Sequence, residues 1–277
     1  MRPIIWLSSR KAKTAFLKIT IIIALGIAIG YLYQNRDLQY EKLSQLPIPL
    51  VETCQELEAD NGIPWELLAA FYQVQKEKGV ISGSSEDTQI TALALKLTKH
   101  PTNSFLNLLT VIPHPVRAFQ IWQRYHSLKK VSYLFSKRYY FPVGKHKVYF
   151  MDTWGAERDG GKRRHQGTDI FAPPGTPLYA VTDGIIERKG WNRLGGWRIG
   201  LRGEDGIYYY YAHLQSYAPG IQQGDKIEKG TVLGYVGHTG NAEGTPDHLH
   251  FGMETPLKRW INPYPFLVYW QRKSSLL

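Results

Sequence analysis

Five side chains in the C-terminal half are of types that bind a metal ion or move protons: His165, Asp169, His213, His248 and His250. They fall into an H-x-x-x-D unit, a lone histidine in YYYYAHL, and an H-x-H unit in PDHLHFGM. Neutral imidazole nitrogen and carboxylate oxygen are ligands that a borderline-soft ion such as zinc accepts. A catalytic zinc keeps three protein ligands and leaves one position open. The set can supply three ligands and still leave two histidines for proton and charge work. Taken singly, each piece says little. An H-x-H pair is most often an ordinary pair on a strand face, and a single histidine is most often a hydrogen-bonded one.

The elements that must position these residues read as short strands. Of 26 glycines, 20 lie beyond residue 150, a density that punctuates strands rather than helices. In HLHF, residues two apart share a face, so His248 and His250 point one way while Leu249 and Phe251 enter the core. The same alternation in IYYYYAHL places Tyr209, Tyr211 and His213 on one face. Asp169 opens the strand DIFA after a turn at Gly167, and His165 folds back over it. VTDG and GEDG turns separate GIIERKGW, GWRIGLRG and IYYYYAHL into an antiparallel series, and GDKIEKGTVLGYVG reads as a further hairpin. DTWGAERDGGKRRHQG reads as a long loop whose Arg158, Lys162, Arg163 and Arg164 are solvated.

Together the motifs say more. HQGTDIFAPPGTPLYAVTDGII, YAHL, GDKIEKGTVLGYVGHTGNAEG and HLHFGM resemble the successive motifs of the lysostaphin/LytM-type zinc metallopeptidases, which are peptidoglycan endopeptidases. The resemblance spans residues 139–266. It implies a zinc ion (Zn2+) held by His165, Asp169 and His250, with His213 and His248 as the two unligated active-site histidines. None of the five positions departs from the family pattern. The chain has no H-E-x-x-H, so no glutamate takes the general-base role of the zincins. DTWGAERDGGKRRHQGTDIFA and KGWNRLGGWRIGLR resemble a narrower group, the sporulation-associated L-Ala–D-Glu endopeptidases of the LytH type. That resemblance implies stem peptides of peptidoglycan as the partner and the L-Ala–D-Glu bond as the target. Cleavage at D-Glu–diamino acid or at a cross-bridge is the alternative. It also implies that the loops Trp154–Arg164 and Trp191–Arg202 border the groove and read stem carboxylates. The other function class is a non-catalytic scaffold that binds wall with the same fold; such a protein is free to lose a ligand, and this chain has all five residues.

The rest of the chain is read in that light. The formal charge of +11 suits an anionic partner such as membrane, cell wall or nucleic acid, but no nucleic-acid motif is present. Residues 1–36 contain no acid, and basic residues precede the apolar run ITIIIALGIAIGYLY. That arrangement predicts a single-pass transmembrane anchor with a cytoplasmic N-terminus and the rest on the wall side of a bacterial cell membrane. A cleaved signal peptide is the rival reading. Residues 37–132 predict a helical spacer: VETCQELEADNG stopped by Asn61-Gly62, PWELLAAFYQVQKEKG with one apolar stripe (Leu67, Leu68, Phe71, Val74), EDTQITALALKLTKH, and PVRAFQIWQRYHSLKK starting at Pro115. Glu66 and Glu77 on the second helix could suggest a glycosidase acid, but no second carboxylate motif accompanies them. Cys54, the single cysteine, is expected to pack as a small apolar residue. The expected fold class is α+β: an anchor over 1–36, a small all-α region over 37–132, and a mainly antiparallel β peptidase domain over 133–277.

Overall fold

Prolines and glycines set the limits of the helices in the first half. In the computed structural model, which describes residues 38–80, 86–99, 105–144 and 147–274, α1 runs Ile48–Asn61. It stops at Gly62, whose φ of 70° lets its N–H reach back to the Glu58 carbonyl at 2.7 Å. α2 (Trp65–Glu77) follows Pro64, and α5 (Pro115–Lys129) begins on a proline, capped by the His114 side chain, which accepts from Arg117 N–H. Between them lie α3 (Glu86–Leu97) and a short α4 (Phe105–Val111) that the sequence reading did not anticipate.

α2 departs from the expected single stripe. It is buried on every side from Trp65 to Gln75, because it is the central helix, with α1, α3 and α5 packed around it. Gln73 is tied down on both sides: it donates to the Lys42 carbonyl at 2.8 Å and accepts from Arg124 at 3.0 Å. Glu66 accepts from the Ser132 hydroxyl at 2.8 Å, and Glu77 pairs with Arg124 at 3.0 Å, so both carboxylates have structural partners. Cys54 is buried in α1 as expected.

The membrane anchor is corrected. The apolar run of residues 19–33 lies outside the described residues. Among the described residues no helix is long and apolar enough to cross a membrane. The longest, α5 at 15 residues, spans only ~22 Å of a ~30 Å hydrocarbon core. Among the described residues the fold class is α+β, with no spanning helix.

After a 3₁₀ turn at Ser132–Leu134 the chain becomes antiparallel sheet. A two-stranded hairpin, β1 (Glu157–Arg158) and β2 (Arg163–Arg164), precedes the main sheet. The main sheet holds β3 (Thr168–Phe171), β4 (Pro177–Tyr179), β5 (Gly184–Asn192), β6 (Gly196–Gly203), β7 (Tyr208–Tyr217), β8 (Lys226–Ile227), β9 (Val232–Val236), β10 (His248–Glu254) and β11 (Trp260–Ile261). The order β11-β10-β7-β6-β5-β8 confirms the antiparallel series, with β3 added to β10 and β4 joined through β9 to β7. The expected hairpin of GDKIEKGTVLGYVG does not form. β8 pairs β5, whereas β9 pairs β4 and β7, because the turn at Gly230 sends the second strand to a different edge.

From Gln39 onward the described chain packs as one unit. A last helix, α6 (Tyr264–Ser274), joins the helical and β regions. Trp270 is fully buried, stacks on Tyr139 at 4.9 Å and donates its indole N–H to the Leu134 carbonyl at 2.8 Å. Tyr209 and Phe251 pack against the same indole from β7 and β10, which fixes the floor beneath the histidines.

Candidate active site

The register of β3 on β10 brings the first candidate residues together: His250 lies directly opposite Asp169, and Phe251 opposite Thr168. Leu249 and Phe251 are fully buried beneath, so His248 and His250 share the outer face, as the H-x-H alternation requires. His165 reaches the same point from the segment before β3. Its Nε2 lies 3.0 Å from Asp169 Oδ1 and 3.1 Å from His250 Nδ1, and His250 Nδ1 lies 2.9 Å from that same oxygen. The other ring nitrogen of His165 faces Thr153, 3.2 Å from its carbonyl and 2.9 Å from its hydroxyl. With a metal in place, an Nδ1–H donated to that carbonyl would fix the tautomer and leave the Nε2 lone pair for the ion.

Two ring nitrogens and a carboxylate oxygen within 3.1 Å of one another need either a proton or a cation among them. Burial works to raise the Asp169 pKa, yet hydrogen bonds with His165 and His250 outweigh it and hold the carboxylate well below its ordinary range. Burial pushes His250 down, toward the neutral form that a ligand needs. Ligand atoms on a tetrahedral zinc with bonds of ~2.0–2.1 Å stand about 3.3 Å apart, close to the spacing seen here. The donor set therefore fits the ion. Among the described residues no other group of His, Cys, Asp or Glu converges in this way.

Gly167 is what lets the ring in. A Cβ there would stand 2.5 Å from His250 Cε1, 2.6 Å from Nε2 and 2.7 Å from the Phe251 carbonyl oxygen. The turn expected at this residue is therefore also a close approach of backbone to the His250 ring.

His213 is placed by a bulge that the strand pattern did not reveal. Trp197 pairs with Leu214, and then Ile199 with Tyr211, so Ala212 and His213 oppose Arg198 alone. His213 takes a φ of 66°, and its N–H donates to the Gly195 carbonyl at 2.7 Å. The expectation that it shares a face with Tyr209 and Tyr211 is corrected. Those two rings are in the core, whereas His213 turns to the groove with Tyr210 and Ala212. Its Nδ1 meets the Thr239 carbonyl at 2.8 Å, and His248 Nδ1 meets the Pro246 carbonyl at 2.8 Å. Each ring thus spends its Nδ1–H on a carbonyl and keeps Nε2 free. The rings are 5.0 Å apart, and His213 is 6.0 Å from His250. Burial, with the neighbouring His250 charge second, pushes His213 down to about 4, so it is neutral at neutral pH.

The five residues line a groove of about 390 Å³. One wall is the β5–β6 tip, where Leu194 and Gly195 meet Asn241 and Ala242; Tyr210 and Trp260 line another part. The long loop before His165 is partly structured: Asp159 and Gly160, with φ of 52° and 64°, turn β1 into β2. The D-G dipeptide between ER and RR was the hairpin signal. Arg158 on that hairpin is not simply solvated. Its Nη2 donates to Asp169 Oδ2 at 2.7 Å. Arg163 and Arg164 also line the groove, paired with Asp159 at 2.6 Å and Glu157 at 3.2 Å. Trp191 and Trp197 stand exposed farther along the β5–β6 hairpin.

Residues 163–263 match Peptidase family M23. This segment is an M23 peptidase domain. The L-Ala–D-Glu endopeptidase of Bacillus subtilis (strain 168) is 46% identical to the chain over 142 residues, 48% of this chain and 44% of that protein. The glycyl-glycine endopeptidase ALE-1 of Staphylococcus capitis is 39% identical over 89 residues, 31% of this chain and 24% of that protein. The chain thus spans less than half the length of these curated relatives. A solved structure of a putative glycyl-glycine endopeptidase lytM from Ruminococcus gnavus shares 26% identity with a TM-score of 0.52, over 85% of this chain and 87% of that one. The M23 segment contains His165, Asp169, His213, His248 and His250. Arg158 and Thr153, which orient two of them, lie before it.

Proposed function

We propose that this protein is a zinc-dependent peptidoglycan endopeptidase that hydrolyses stem peptides on the wall side of the membrane, at the L-Ala–D-Glu bond. The observation that carries this reading is the convergence of His165 Nε2, Asp169 Oδ1 and His250 Nδ1 in a groove that also holds two histidines with free Nε2 atoms. The 46% identity to an L-Ala–D-Glu endopeptidase supports the choice of bond.

When bound, zinc supplies Lewis-acid chemistry, polarising a carbonyl oxygen and acidifying water. His165, Asp169 and His250 would hold it. The protein's own part in the reaction is proton handling. His213 is neutral and His248 has the same tethered geometry, so either Nε2 can take a proton from attacking water. A ring that has taken the proton becomes a donor, able to stabilise an oxyanion or protonate the leaving nitrogen. The Thr239 and Pro246 carbonyls keep both rings aimed while that proton moves.

The test is incubation of the purified protein with peptidoglycan, with and without chelator, followed by mass analysis of the released fragments. New N-terminal D-Glu supports the proposed bond. New N-terminal diamino acid or glycine moves the cut elsewhere in the polymer. No fragments from a zinc-loaded sample would point to a wall-binding scaffold.

A further inference from the structure

Arg158 does two things at once. Through Nη2 it holds Asp169 Oδ2 at 2.7 Å, while Asp169 Oδ1 faces the two histidines. Its side chain is 38% exposed and lines the groove. Among the described residues, the remaining guanidinium nitrogens have no partner. The other arginines on this hairpin have their own acids: Arg163 has Asp159 and Arg164 has Glu157. Arg158 shares its only acid with the ligand set. A divalent ion there would leave Asp169 as the single negative charge against three positive ones. The site would then favour an anion beside it.

Guanidinium is a planar fork with five donors, so one edge can hold Asp169 while another presents parallel N–H groups to a second carboxylate. The ion pair to Asp169 pins the plane, which removes much of the ordering cost of binding by a free arginine. Such a carboxylate would lie roughly 5–7 Å from Asp169 Oδ2, one guanidinium width and one hydrogen bond away. That is beside the reacting bond, not far along the groove. A glutamyl residue on the leaving side of the cut bears two carboxyl groups. Only one can carry the peptide onward, so the other stays free within a few bonds of the scissile nitrogen.

We propose that Arg158 is a specificity-determining residue: its free edge pairs with the free carboxylate of the glutamyl residue next to the scissile bond. This rests on the stem-peptide endopeptidase reading above. It adds the group that is recognised and the residue that recognises it.

Two synthetic stem peptides test it, identical except that the free glutamyl carboxylate is converted to a carboxamide in one. kcat/KM is measured on both for wild type, R158K and R158Q, and zinc content is measured for each protein. A charge-assisted contact predicts that wild type prefers the carboxylate peptide by roughly 10- to 100-fold. Lysine offers a point charge that can serve Asp169 but has no second edge. R158K should therefore keep zinc and lose most of the preference, through the carboxylate peptide alone. R158Q should lose the preference as well; if it also loses zinc, R158K decides. Equal wild-type rates on the two peptides would overturn the proposal. So would variants that slow both peptides alike, which would leave Arg158 only its role toward Asp169. A wild type that cleaves neither peptide but still binds zinc removes the endopeptidase reading, and the inference with it.

Discussion

Replacing Gly167 with alanine should empty the metal site without touching a ligand. The added Cβ would meet His250 Cε1 at 2.5 Å, His250 Nε2 at 2.6 Å and the Phe251 carbonyl oxygen at 2.7 Å. Ordinary carbon contacts begin near ~3.5 Å, so the shortfall is about 1 Å. The carbonyl cannot yield cheaply, because Phe251 pairs with Thr168 on one side and Tyr211 on the other. The imidazole must therefore swing. Metal–ligand distances tolerate only about ±0.2 Å, and a ring displaced by about 1 Å no longer presents Nδ1 beside Asp169 and His165. Loss of an outer-sphere partner costs about 10- to 100-fold in metal affinity; misplacing a ligand itself should cost at least roughly 100-fold. The fold should lose only about 1–3 kcal/mol, the usual penalty of overpacking. Zinc affinity by chelator competition reads the first effect, and melting of the metal-free protein reads the second. G167A that binds zinc within about threefold of wild type would refute the close-approach argument.

The other expectations separate the metal half of the site from the proton half. Asp169→Ala should lose zinc outright, and chelation of wild type should lower its melting temperature and abolish wall digestion, both recovered on adding zinc; equal zinc content in D169A and wild type would refute the ligand assignment. His213→Ala and His248→Ala should each keep zinc and lose roughly 100- to 1000-fold in turnover, measured on a defined stem peptide. Gly196→Ala, at φ 61° and with its Cβ against the Thr239 hydroxyl and 2.6 Å from Gly240 N, should move the carbonyl that holds His213. Its turnover should fall while zinc content stays at the wild-type level, and a normal rate would show that Thr239 does not position that ring.

The site was legible where chemistry follows local periodicity. His248 and His250 face out and Leu249 and Phe251 face in because a strand alternates, and nothing in β10 interrupts it. Gly62 and Pro115 ended and began helices for equally local reasons. The failures were non-local. His213 left its expected face because β7 carries one more residue than β6 in a short interval, a mismatch that exists only once the strands are paired. β8 and β9 read as a hairpin because each has strand character, but their partners are chosen by distant edges. α2 read as a single apolar stripe because Leu67, Leu68, Phe71 and Val74 recur at helical spacing, yet tertiary contacts bury Gln73 and Gln75 as well. Arg158 sits in a run of charged residues where composition alone suggests solvent, and its role depends on where β3 lies.

The bulge also says why the two halves of the site can be separated. A non-glycine residue at φ 66° costs on the order of 1–3 kcal/mol, and such strain persists only where its surroundings over-determine it. His213 is fixed by its own N–H to Gly195, by its ring to Thr239, and by buried Ala212 and Leu214 on either side. Gly195 and Thr239 in turn belong to two loop tips that lock together, with Trp197 N–H on the Thr239 hydroxyl at 3.0 Å and Asn241 N–H on the Leu194 carbonyl at 3.1 Å. None of these contacts involves β3 or the β1–β2 hairpin, which set His165 and Asp169. The metal half is therefore built on strand register and one glycine contact. Of the proton half, His213 is a strained residue clamped between two loops, whereas His248 shares β10 with His250. β7 and β10, seated on the Trp270 core, bring the halves to within 6.0 Å, measured from His213 to His250. A substitution in the loop tips should thus change turnover before metal affinity, and one beneath His250 should do the reverse.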